Sequence, residues 1–206
     1  MNDGTFSIFT GCSGTDGLFK YLESMTKHWE SSYNIRLRIE HTGSVEIEPN
    51  KKKFIIGQHK VSFLANDVND LGDRELANLI TGKMQSVPRS KCFAGGFSCR
   101  SRSPLNIHAA EFLGCIQNKS KKASTAITYD ALSQHAFRHG YDLIILENLK
   151  SLDQKGDQLA MTDSQYILQD RACAHVGVRR RRYLCGSASQ RRVEAITPLF
   201  VVVLHR

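Results

Sequence analysis

The sequence predicts a doubly wound α/β fold, a mostly parallel sheet with helices on both faces, and three observations predict it. Short apolar runs alternate with longer helix-compatible segments along the chain, which is the strand, turn, helix rhythm of a parallel sheet. One run, YDLIILEN at 141–148, is aliphatic without alternation, as in a strand covered on both faces. The runs end on Gly11, Glu46, Asp67, Cys99 and Glu147, and ligands of such sheets bind at the carboxyl ends of the strands.

The elements follow in order. FSIFTG (6–11) is a strand entering a glycine turn. DGLFKYLESMTKHW (16–29) places apolar residues at 18, 19, 22, 25 and 29, the spacing of one helix face, with Asp16 at its start. IRLRIEHTGSVEIE (35–48) is a strand, and Pro49 opens a short helix, PNKKKFIIGQ, because proline suits the first helical turn. HKVSFLAND (59–67) is a strand ending at Asp67, DRELANLITGKM (73–84) an amphipathic helix stopped near Gly82, and SKCFAGGF (90–97) a strand leading to the Cys99 loop. KSKK (119–122) is a basic turn, and STAITYDALSQHAFRHG (124–140) is a helix with Gly140 as its C-terminal cap. VGVRRRRYLCG and ITPLFVVVLHR, near the end, are expected as two strands, paired antiparallel.

Composition narrows the class. A chain of 206 residues with 41% hydrophobic content is expected to fold as one domain, 1–206. Lys and Arg number 28 against 20 Asp and Glu, a net charge of +8, which favours polyanions such as nucleic acid and also serves solubility. The six cysteines (12, 92, 99, 115, 173, 185) show neither zinc-knuckle spacing nor a disulfide framework, so no metal site is expected. The first residues, MNDGTFSIFTG, do not form a secretory signal, and no apolar run reaches transmembrane length. The expectation is a reduced compartment, nucleus or cytoplasm, with no membrane partner.

FTGCSGTDG (9–17) is a turn in which Gly11 and Gly14 let backbone approach a ligand; it is neither a dinucleotide fingerprint nor a P-loop. Glu46, one strand on, suits ribose hydroxyls, and Asp67, a strand further, fits the same nucleoside-type ligand. Cys99 follows a Gly-Gly pair and is flanked by Arg100 and Arg102, cations that favour a thiolate. Cysteine catalysis needs a group to handle protons, and Glu147 in ILENL is the candidate. In a strand, Arg180 and Arg182 of the RRRR run would share one face.

Taken together these pieces resemble the cytosine-5 methyltransferase family. FTGCSG (9–14) resembles its first motif, F-x-G-x-G-G, and SVEIEP (44–49), NDV (66–68), AGGFSCRSRS (94–103), LENL (146–149) and VGVRRRRY (176–183) resemble later motifs in the family's order. The resemblance implies a Rossmann-like S-adenosylmethionine-dependent methyltransferase fold. It implies S-adenosylmethionine held by Phe9, Thr10, Gly11, Gly14, Glu46, Ile47, Asp67, Val68 and Gly95. It further implies Cys99 as nucleophile, Glu147 as acid and Arg180 and Arg182 as orienting charges. Departures are Ser98 and Arg100 in place of the proline and glutamine around the nucleophile, Ser13 for a glycine, Leu149 for valine, and Val178 for the glutamine of the arginine motif. The family's target-recognition region and last two motifs have no counterpart in the residues after Gly186, so recognition is expected from elsewhere, a second chain included.

The expected partner is nucleic acid, DNA ahead of RNA, with tRNA as the variant that one branch of the family methylates. A second reading is a catalytically inactive or split module that keeps the fold and binds cofactor or nucleic acid. A third is a Cys/His hydrolase, for which His108 is the histidine nearest Cys99 in sequence.

Overall fold

A computed structural model describes residues 4–12, 14–72, 75–118, 123–156, 159–167, 183–185 and 199–205. Strand β1 (Gly4–Gly11) leads into helix α1 (Gly17–Tyr33), β2 (Leu37–Val45), helix α2 (Pro49–Gln58) and the two-residue β3 (Leu64–Ala65). A small hairpin follows, β4 (Leu76–Asn78) and β5 (Lys83–Gln85), then β6 (Cys92–Gly96), α3 (Ser124–His139), β7 (Leu143–Leu149), β8 (Tyr183–Cys185) and β9 (Leu199–His205). The main sheet has the order β3-β2-β1-β6-β7-β9-β8 and every pairing in it is parallel. The fold is therefore the expected Rossmann-like one.

Side-chain alternation sorts the two faces. Phe9, Phe93, Ile144 and Leu146 point to one side, where Tyr129, Leu132 and Ala136 of α3 close over them. Ile8, Cys92 and Ala94 point to the other, where Phe19, Leu18 and Leu22 of α1 meet them. α2 begins with Pro49 at its first turn and the Glu48 carboxylate accepting from Asn50 N–H at 3.2 Å, and α3 ends on Gly140 in the left-handed conformation at φ 66°, both as the sequence predicts.

Three expectations change. The segment 73–84 is not a helix: its described residues form the antiparallel hairpin β4/β5. Buried Asn78 accepts from Leu64 N–H and Ile80 N–H through Oδ1, and its Nδ2 donates to Ser62 O. Gly82 takes φ 68° in the turn. These tertiary bonds outweigh a local helical preference, which is a weak prior. β8 and β9 are parallel, not antiparallel, with Tyr183 opposite Phe200. β9 also runs parallel to β7, with Leu143 opposite Leu199. β7 is fully buried on one face only: Ile144, Leu146 and Asn148 are buried, whereas Leu143, Ile145, Glu147 and Leu149 are half-buried. The RRRR run, with the strand reading given to it, and KSKK at 119–122 lie outside the described residues.

Candidate functional site

The strand order reverses direction between β1 and β6, and such a switch point opens a crevice at the carboxyl ends of the strands. Register brings the ends level: Gly11 pairs with Val45 and Gly95, and Gly96 with Glu147. Two cavities open there. The smaller, about 110 Å³, is lined by Glu46, Ile47, Asp67 and Val68, together with Cys12, Val45, Asn69 and Thr128. The larger, about 540 Å³, lies on the α1 side and is lined by Thr10, Gly95, Gly96, Ile145 and Glu147, with Thr15, Leu18 and Tyr21 of the turn and helix. Cys12 lines both.

The turn after β1 carries unusual backbone. Cys12, Gly14 and Asp16 all have positive φ, at 51°, 65° and 56°. Only glycine adopts that region without strain, so the two non-glycine positions need support from their surroundings. Gly14 N–H donates to Glu46 Oε2 at 3.0 Å, and Glu48 N–H to Glu46 Oε1 at 2.9 Å. Glu46, 5% exposed, thus ties the turn to the end of β2. Beneath the turn His59 Nε2–H donates to Thr15 O at 3.1 Å. His41 Nε2 lies 3.1 Å from Thr10 Oγ1 and 3.6 Å from Asp16 Oδ2, with its ring stacked on Phe19. Burial pushes His41 down to about 4, so it is a neutral support near pH 7. Asp16 starts α1 as expected, but its carboxylate faces His41 instead of capping the helix.

Among the described cysteines, Cys92 and Cys115 are buried, and Cys12 and Cys99 are half-buried. Burial, with the Glu46 and Asp67 carboxylates, drives the Cys12 thiol up to about 12, so it stays protonated near pH 7 and lacks the thiolate that a nucleophile needs. Cys99 sits on a loop tied down on three sides. Ser98 N–H donates to Thr128 Oγ1 at 2.8 Å, and the Ser98 and Ser101 hydroxyls each lie 3.2 Å from Ser124 Oγ on the first turn of α3. Proline in place of Ser98 would have no N–H to give, so serine holds the loop by a bond that a proline there could not make. Asn148 Nδ2 donates to Phe97 O at 2.7 Å, joining the loop to the residue after Glu147.

Arg102 makes the third tie. Its guanidinium, expected beside the thiol, is instead buried with the whole residue at 2% exposure, donating to Ser151 O and to Gln154 O. Asp163, fully buried, stands 3.9 Å from Arg102 Nε and accepts from Ile116 N–H. Burial moves both groups towards neutrality, Asp163 up and Arg102 down, and their mutual attraction opposes it. Arg102 N–H bonds back to Cys99 O at 3.0 Å. Arg102 thereby anchors the loop and leaves Arg100, which is exposed, as the flanking cation.

Glu147 rests against bare backbone. A Cβ on Gly96 would stand 2.6 Å from Glu147 Oε2 and 3.6 Å from Cys12 O. Of the other residues singled out from sequence, Phe9 is buried in the core against Phe63, Phe93 and His135 and lines neither cavity. Gly11 faces Leu132 and Phe93. Arg180 and Arg182 lie outside the described residues. His108 is exposed and bonded to Glu111 at 2.8 Å. Sequence reasoning gave no separate role to Cys12, Tyr21, Thr128 or Asn148; of these, Asn148, inside LENL beside Glu147, carried a signal that could have found it.

No family model matches the chain. It is 28% identical over 150 residues to the DNA (cytosine-5-)-methyltransferase DMT5 of Cryptococcus neoformans var. grubii serotype A. That match takes in 72% of this chain and 6% of the relative, so the chain spans a small fraction of the curated protein's length.

Proposed function

Kinship with the cytosine-5 methyltransferases is the premise from which we propose that this chain transfers a methyl group from S-adenosylmethionine to carbon 5 of cytosine in DNA, through a covalent adduct on Cys99. The observation that carries the reading is the Asn148–Phe97 bond, which locks the Cys99 loop to the strand end bearing Glu147 beside a crevice at the switch point. The relative's name supports DNA over RNA.

The residues fit the cofactor. Glu46 and Asp67 offer carboxylate oxygens on a wall that Val45, Ile47 and Val68 share with Cys12, Asn69 and Thr128, a combination suited to ribose hydroxyls and an apolar ring. Cys12, one of the positions with positive φ in the turn after β1, lines both cavities. When bound, S-adenosylmethionine supplies an electrophilic methyl group. The rest falls to the chain's own side chains and the base. The Cys99 thiolate adds to carbon 6 of cytosine, forming the S–C6 bond, while a proton from Glu147 meets nitrogen 3. Carbon 5 then carries the electron pair that accepts the methyl group. Water takes the proton from carbon 5, the C5–H electron pair re-forms the 5,6 double bond, the S–C6 bond breaks to release the Cys99 thiolate, and the nitrogen 3 proton returns to Glu147. Arg180 and Arg182 are assigned to orienting the base, and a duplex target must be flipped out of the stack to reach Cys99.

The test is incubation with S-adenosylmethionine and a duplex carrying 5-fluorocytosine, whose fluorine cannot leave carbon 5. We expect a denaturation-resistant protein–DNA adduct, absent in Cys99→Ser. Trapping on a matching RNA but not on DNA would move the substrate to RNA. Absence of any adduct, from folded protein that binds the cofactor, would make the chain a binding module.

A further inference from the structure

One side chain of α3 touches both halves of the site. Thr128 lines the smaller cavity with Glu46, Asp67 and Val68. Its Oγ1 accepts from Ser98 N–H at 2.8 Å and donates to Ser124 O at 2.8 Å. The hydroxyl gives its proton to its own helix and a lone pair to the residue that precedes Cys99. Threonine in a helix divides between two χ1 rotamers because its hydroxyl can reach the carbonyl three or four residues back. Here both acceptors are in reach, Ser124 O and, at 3.3 Å, Thr125 O. All three contacts belong to the one rotamer the structure shows, and a turn about χ1 to the other helical rotamer would carry Oγ1 away from Ser98 N–H.

We propose, on the reading of that cavity as the seat of the cofactor's adenosine end, that Thr128 is a positioning residue coupling cavity occupancy to the setting of the Cys99 loop. A ligand packed against the cavity wall fixes the Thr128 rotamer, and the fixed rotamer holds Ser98 and with it Cys99. A ligand shifts a conformational equilibrium only through a contact that differs between the two states, and Thr128 is that contact. The coupling is reciprocal by linkage, so a loop held by its substrate tightens the cavity around its ligand.

Two variants separate the roles of the side chain. Thr128→Val keeps the shape and loses the acceptor, whereas Thr128→Ser keeps the hydroxyl and loses the methyl group. The full chain is titrated with S-adenosylhomocysteine by calorimetry. The rate of Cys99 alkylation by iodoacetamide, located by peptide mass spectrometry, is then measured with and without saturating S-adenosylhomocysteine. Thermal melts confirm that each variant is folded. In the unmodified chain the ligand should slow alkylation about fivefold or more. Thr128→Ser should retain that response, and Thr128→Val should lose it at ligand concentrations that calorimetry shows to be saturating for that variant. Absence of binding to the unmodified chain overturns the cofactor reading, and the coupling with it. Binding that leaves the alkylation rate unchanged, or changes it equally in Thr128→Val, overturns the coupling alone.

Discussion

At Gly96 the absence of one methyl group decides where a carboxylate stands. The Cβ of an alanine would meet Glu147 Oε2 at 2.6 Å, and because that oxygen ends a flexible side chain, the carboxyl would swing aside while the backbone stays. Gly96→Ala should therefore cost about 1 kcal/mol of stability or less, in the range of substitutions that disturb no packing. The same change should slow adduct formation on 5-fluorocytosine DNA by about 100-fold, the scale of a displaced reacting group. Affinity for adenosine, the end assigned to the smaller cavity, should stay within a factor of about two, since that cavity does not include Gly96. Urea melts, single-turnover trapping and calorimetry measure the three quantities; a variant that traps DNA as fast as the unmodified chain would remove Glu147 from the chemistry.

Between elements, a few buried polar bonds set the site. Asn148 joins β7 to the loop after β6, and Arg102 joins the Cys99 loop to the turn at Lys150–Asp153 and to Asp163. Removing one partner of a buried pair leaves the other charge unpaired in a low-dielectric site. Arg102→Met should destabilise the chain by about 3 kcal/mol. Adding Asp163→Asn should recover part of that loss, giving a coupling of about 1 kcal/mol or more in a double-mutant cycle. Additive losses in urea denaturation would show that the two side chains act independently.

Across the whole molecule, buried neutral histidines make the fold sensitive to acid. His135, 1% exposed, lies under the sheet among Phe9, Phe93 and Tyr141, with its ring nitrogens 3.2 Å from Leu71 O and 2.9 Å from Tyr141 OH. Burial, reinforced by His139, pushes it down to about 3; His41 is lowered as well. A folded-state value below the unfolded one means that the unfolded chain binds the proton more tightly. Stability from these groups is complete above about pH 6.5 and declines as pH falls towards the folded values. His135 alone should remove about 2 kcal/mol between pH 6.5 and pH 5. Melts of the unmodified chain and of His135→Gln over that range check this; equal slopes for the two would exclude His135 as the source.

The chain's own order of residues determined the α/β class, β1, α2, β6, α3 and the placing of Gly11, Glu46, Asp67, Cys99 and Glu147 within three residues of strand ends, although the strand expected over 59–67 is only Leu64–Ala65. These depend on local information: hydrophobic period, Pro49 at a helix start, Gly140 at a helix end. Tertiary structure decided what depends on partners distant in sequence. The period in DRELANLITGKM promises a helix, yet Asn78 bonds to Leu64 and Ser62 and the described residues form a hairpin. Arg102 reads as a cation for the thiolate, yet Ser151 and Asp163, which draw it inward, are remote in the chain. Thr128 carries no sequence signal, because its importance comes from Ser98 on one side and a cavity wall on the other. A residue's type and neighbours state which bonds it can make; only the packed chain brings the other half of each bond within reach.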